Sequence, residues 1–203
     1  MTAFFSGLTL SFSLIVAIGS QNAYVLKQGL KREHVFFICL ICALSDAVLI
    51  SLGVLGFSVI TSTVPWIEPL ARCGGAVFLF VYGAMSFLSA LKNTSLLPSD
   101  QKNTSLFTSI LICLAFTWLN PHVYLDTVIL IGSISSTFPG QKAEFTAGAT
   151  IASFIFFYSL GYGAKFLRPV FNNPKSWKVL DTAIGFVMWA IAFSLIKHLV
   201  FGE

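Results

Sequence analysis

The sequence predicts an all-α integral membrane protein with six transmembrane helices in a 3+3 inverted repeat, the first and fourth helices being broken. Three observations point there. Of 203 residues, 56% are hydrophobic and 10% are charged, against about 25% charged in an ordinary soluble domain; 12 Lys+Arg and 8 Asp+Glu cannot cover a fold of this size for water. Apolar stretches near the roughly 20 residues that cross a bilayer recur at 4–26, 35–60, 71–91, 106–134, 145–167 and 179–200. A polar linker at 92–105 separates three spans from three, and an odd number per half forces the halves into opposite orientations. The chain is expected to be one transporter domain, with repeat halves at 4–91 and 106–200.

The first span lacks a basic flank before it, and its apolar run outlasts a signal-peptide core, so it is expected to be a retained helix. It ends in Gly19, Ser20, Gln21 and Asn22, where glycine and serine weaken the helix and two amides need partners in lipid. A basic loop, Lys27 to His34, leads to the second span, which carries Ser45 and Asp46 near its middle. Two prolines, Pro65 and Pro69, separate it from the third. The linker repeats Lys-Asn-Thr-Ser-Leu, a solvated sequence. In the fourth span Pro121 removes its own N–H and displaces the carbonyl of Thr117, and Asn120 beside it can satisfy the freed groups or a ligand. The fifth and sixth spans flank a basic loop holding Lys165, Arg168, Lys175 and Lys178.

Charge sets orientation. Odd-numbered loops hold nine Lys and Arg (Lys27, Lys31, Arg32, Lys92, Lys102, Lys165, Arg168, Lys175 and Lys178), and the other side holds Arg72, Lys142 and Lys197. Positive loops stay in the cytoplasm, so both termini are expected outside. The composition excludes disordered, collagenous, nucleic-acid-binding and secreted disulfide classes. Short loops and the lack of a phosphate-binding Gly-rich Lys-Ser/Thr motif argue against an ATP-driven pump. No enzyme, cofactor or metal centre is expected.

Two carboxylates lie within apolar helix, where an ion costs about 2.5–3.5 kcal/mol. Neither Asp46 nor Asp126 has a Lys or Arg one turn away. A structural hydrogen bond to a neighbouring helix explains either one; a cation or proton site facing the bundle interior explains both. Pro121 alone is compatible with a simple kink, but breaks at matching places in two halves point to a transport site, because half-helix ends hold charged groups. His122 and Asp126 share a face at i, i+4, a spacing metal ligands use, with Asp46 the only further strong ligand. Cys39-Leu40-Ile41-Cys42 has redox-pair spacing, but an apolar helix interior opposes thiolate formation, so packing is expected. Gly53, Gly56, Gly161 and Gly163 allow close helix packing within one chain or in a homodimer.

Gly19-Ser20-Gln21-Asn22-Ala23, Gln28 to Glu33, Ser45-Asp46 and the ten-residue string Thr117 to Asp126 resemble the bacterial lysine/arginine exporter family, and Gly74-Gly75, Pro174-Lys175 with Trp177, and Val187-Met188-Trp189 extend the resemblance over essentially the whole chain. Many members have proline where this chain has Ser20, so a less sharply broken first helix is expected. The resemblance implies an inner-membrane exporter of L-arginine, L-lysine or both, driven by the ion gradient. Half-helix N–H groups with Gln21, Asn22 and Asn120 suit a substrate carboxylate; Asp46 and Asp126 suit its cations, with Ser45, His122 and Tyr124 nearby and Gly19, Ser20 and Pro121 as the breaks. One-for-one antiport with protons would cancel the charge moved against the membrane field. Export of a metal cation or a neutral amino acid, or thiol–disulfide electron transfer through Cys39 and Cys42, are the alternatives; nucleic acid is not a partner, membrane lipid is.

Overall fold

The computed structural model describes the chain except residues 17–18, 57–66, 92–103, 121–122, 172 and 202–203. Every described element is helical: α1 (Thr2–Ile15), α2 (Ser20–Lys31), α3 (Val35–Val54), α4 (Ile67–Leu91), α5 (Leu106–Trp118), a π-helical stretch (Tyr124–Leu130) running into α6 (Ile131–Ser135), α7 (Lys142–Gly163), a 3₁₀ turn (Ala164–Leu167), α8 (Arg168–Phe171) and α9 (Pro174–Phe201).

By length and apolarity, three stretches qualify as membrane spans: Val35–Val54, Lys142–Phe171 and Lys175–Phe193; α1 and α2 together make a fourth, bent by 81°. Of the six spans expected, with the first and fourth broken, the described residues present three whole ones and the broken first pair. Leu106–Trp118 and the helix around Asp126–Ser135 are each too short alone; they lie on either side of Asn120 within the expected, broken span 106–134. The first helix is sharply broken without a proline, contrary to the expectation drawn from Ser20. Gly19, one of the residues expected to break the helix, lies in the break, extended at φ −112° and ψ 177° as the cap of α2, and Ser20 opens that helix.

Outward faces are apolar where a soluble protein would be charged. On α9 Val179, Phe186 and Phe193 recur every seven residues, and on α4 Val77, Val81 and Met85 recur every four, all exposed. A helix apolar on its outside as well as its inside is a helix meant for lipid.

The bundle's two ends are defined by contacts. At one, the N-terminal ammonium pairs with Glu144 at 3.3 Å and Lys142 Nζ reaches the carbonyl of Val54 at 3.4 Å. At the other, Arg32 and Lys165 line a common hollow, and His34 Nε2 is 3.0 Å from the carbonyl of Thr104. The first, third and fifth loops thus share an end, as the charge pattern requires; which compartment that end faces is a separate matter. The α2–α3 turn closes tightly because Arg32 and His34 both take the left-handed conformation, φ 60° and 53°, and the Arg32 and Glu33 N–H groups satisfy the last carbonyls of α2 at 3.2 Å.

Close approach fixes the core. A Cβ on Gly7 would land on the carbonyl oxygen of Phe145, and one on Gly148 on that of Phe4, so α1 and α7 cross backbone to backbone. Gly53 sits against the carbonyl of Val128 in the same way, and Gly161 against Cys39, while Gly56 and Gly163 face open space. Tyr24, Tyr82, Phe78 and Phe116 meet edge-on or tilted at 4.7–6.2 Å between ring centres, joining α2, α4 and α5, with Tyr24 donating its hydroxyl to the carbonyl of Ser109 at 3.2 Å.

Candidate functional site

The break between α1 and α2 opens a cavity of about 270 Å³, lined by Leu14, Ile15, Gly19, Ser20, Gln21, Asn22, Asp46, Asn120, Val123, Asp126, Thr127, Ile131, Phe157 and Ile191. Both expected carboxylates and both expected helix breaks meet here. The volume is near the lower end for small-molecule sites, about 300 Å³. One wall is the start of α2, whose first N–H groups have no intrahelical partner and whose cap offers no side-chain bond. Helix N-termini favour anions.

Side chains on that wall divide by role. Asn22 Nδ2 donates to the carbonyl of Ile15 at 2.7 Å, tying α2 to the end of α1 across the break, and the residue lines the cavity as well. Ser20 and Gln21 differ. Ser20 is wholly buried and Gln21 is 8% exposed, and the Ser20 hydroxyl and Gln21 Nε2 have no hydrogen-bond partner among the described residues. Buried donors left unmet cost about 1–3 kcal/mol each, a cost that an anionic ligand between them would remove.

The opposite wall carries the acids. Asp46 is 4% exposed, and its Oδ2 accepts a hydrogen bond from the Ser153 hydroxyl at 2.9 Å. Ser153, on α7, is a site residue not singled out in the sequence, where a serine in an apolar helix gives no signal of its partner 107 positions away. Asp126 lines the same cavity but is exposed. It stands in the π-helical stretch, where Ile131 N–H reaches back to the Asp126 carbonyl; such widened turns collect at functional sites.

Ser45 and Tyr124 do not line the cavity. Ser45 accepts from Trp118 Nε1 at 3.3 Å, and Tyr124 donates its hydroxyl to the carbonyl of Trp118 at 2.8 Å, spanning the break that follows α5. Both brace the site's frame. Pro121 and His122 lie outside the described residues. No group of three His, Cys, Asp or Glu side chains able to hold a metal occurs among the described residues. Cys39 and Cys42 do not face one another: Cys39 Sγ is 3.1 Å from the carbonyl of Phe157, and Cys42 Sγ is 3.2 Å from Cys113 Sγ.

One further acid was missed. Asp181, two residues inside the predicted sixth span, is 5% exposed. Its Oδ1 pairs with Lys27 Nζ at 2.5 Å, and its Oδ2 accepts from the Ser89 hydroxyl at 2.7 Å. Lys27, expected in a solvated loop, is in fact a mostly buried residue of α2. An acid inside an apolar run was the available signal.

Residues 12–198 match the LysE type translocator family. A protein named "Putative amino-acid transporter" in Mycobacterium tuberculosis (strain ATCC 25618 / H37Rv) is 41% identical over 180 residues, which is 89% of this chain and 90% of that protein. Its counterpart in Mycobacterium bovis matches equally. The arginine exporter protein ArgO of Salmonella schwarzengrund is 38% identical over 197 residues, 96% of this chain and 93% of its own. No solved structure matches.

Proposed function

Because this chain belongs to the LysE type translocator family, we propose that it is a secondary exporter of basic L-amino acids, arginine and lysine, across the bacterial inner membrane, working by alternating access with protons taken up in exchange. One observation carries the choice of substrate: a single cavity joins unmet buried donors on the first turn of α2 to two carboxylates on the facing elements. A basic amino acid presents a carboxylate, an α-ammonium and a side-chain cation, one group for each feature. The resemblance to a relative named as an arginine exporter agrees.

Proton exchange follows from electrostatics. Moving one cation out of a negative interior opposes about 2.3 kcal/mol per 100 mV; a proton moving inward for each one cancels that work. Asp46, in contact with both cavity and α7, is the group that holds either a proton or the substrate's ammonium. Rocking of the half 4–91 against the half 106–200, in opposite membrane orientations with the nine-to-three basic loops cytoplasmic, would supply alternating access.

The test is a binding comparison on purified protein among L-arginine, L-lysine and L-citrulline, arginine's uncharged analogue. Arginine and lysine should bind and compete, with citrulline at least about tenfold weaker, the factor that corresponds to about 1.4 kcal/mol. Citrulline bound as well as arginine would overturn the basic-substrate assignment in favour of a neutral amino acid.

A further inference from the structure

The Lys27–Asp181 ion pair has no part in the cavity, and its position gives it one in access to the cavity. Helices α4 and α9 pack along each other, and beyond the chain-adjacent α8 their contact with the remainder runs chiefly through α2 and α5. The cavity straddles that seam: Ile191 of α9 is one wall and the first turn of α2 another. The ion pair crosses the same seam, tying Lys27 of α2 to Asp181 of α9, with Ser89 of α4 on the second carboxylate oxygen. At 1.5 Å per residue, Lys27 stands about 9 Å along α2 from Gln21, and Asp181 about 15 Å along α9 from Ile191. The pair therefore closes the seam between the cavity and the end where the first, third and fifth loops gather.

A buried ion pair is a poor device for stability alone, since well-packed apolar residues do as well, whereas removing one partner leaves a charge the interior cannot tolerate. Opening this seam demands another cation for Asp181. We propose that the Lys27–Asp181 pair is a substrate-released gate: the side-chain cation of a basic amino acid replaces the Lys27 ammonium on Asp181, the freed ammonium turns to water at the loop end of α2, the seam parts, and the substrate passes between the loop end and the cavity. A neutral amino acid offers nothing in exchange and leaves the gate shut. Asp181 thus selects cationic substrates during passage, outside the cavity in which they are held at equilibrium. The proposal rests on the basic-amino-acid function proposed above.

Lys31, one turn beyond Lys27, is within electrostatic reach of Asp181 and could replace a lost Lys27, so the test removes both partners. The full chain carrying Lys27→Met with Asp181→Asn is compared with wild type for arginine binding in detergent and for gradient-driven arginine export from proteoliposomes. Arginine binding within about threefold of wild type, with export reduced at least about tenfold, is expected. Export at the wild-type rate overturns the gate, and loss of binding together with export shows a structural tie and overturns it too. If the double variant fails to insert, Lys27→Arg decides: a guanidinium holds a carboxylate in two bonds, so maximal export should fall about tenfold with half-saturation unchanged, and a wild-type maximum overturns the gate. Wild-type protein that neither binds nor moves arginine would refute the proposed function itself, a result distinct from any of these.

Discussion

Replacing Asp46 by asparagine separates the cost of holding a charge in the bundle from its use. The side chain keeps its size and an oxygen to accept the Ser153 hydroxyl, which lies 2.9 Å from Asp46 Oδ2, so packing is preserved. Removing the charge from mid-helix relieves part of the about 2.5–3.5 kcal/mol it costs on the insertion scale, the amide keeping the rest, and the variant should insert at least as well as wild type. Asp46 is 4% exposed, so water cannot substitute for it against a bound ammonium. Loss of one partner of a buried, hydrogen-bonded charge pair costs about 2–5 kcal/mol, which at about 1.4 kcal/mol per decade weakens arginine binding by about 30-fold to about 4,000-fold. Labelled-arginine binding to purified protein measures the affinity, and proteoliposome efflux with an imposed pH gradient measures coupling, which should vanish. Arginine affinity within about threefold of wild type, with gradient-driven efflux intact, would refute the reasoning.

Three further variants test the helix crossing and the thiols. Gly148→Val should disrupt the α1–α7 crossing, because its first carbon already meets the carbonyl oxygen of Phe4; overpacking costs about 1–3 kcal/mol, seen as a lower melting temperature in detergent, while Gly163→Ala, which meets nothing within 4 Å, should leave it unchanged. Cys39→Ala with Cys42→Ala should retain export within about threefold, as expected of buried packing thiols, and its loss would revive an electron-transfer function for the pair.

Much of the membrane character was legible because it resides in composition and run length. So were the two helix breaks and Asp46, since a carboxylate and paired amides in apolar sequence are conspicuous wherever the chain folds. The sharpness of the first break was not: Ser20 in place of proline suggests a gentler break, yet Asn22 returns to the carbonyl of Ile15 seven residues back and supports the bend. The break in the fourth span was legible from Pro121, but not the bond from Tyr124 to the carbonyl of Trp118 that holds its two pieces together. Ser153 with Asp46, and Lys27 with Asp181, lie 107 and 154 residues apart. No periodicity in a single sequence records which helices will be neighbours, so Lys27 read as a loop charge and Asp181 went unnoticed.

The most direct measurement is efflux of labelled L-arginine from vesicles containing the purified protein, with a pH gradient imposed and then collapsed. Arginine movement that follows the gradient and is competed by L-lysine is the expected result. Movement indifferent to the gradient would contradict proton exchange, and correctly inserted protein that moves neither amino acid would contradict export of basic amino acids.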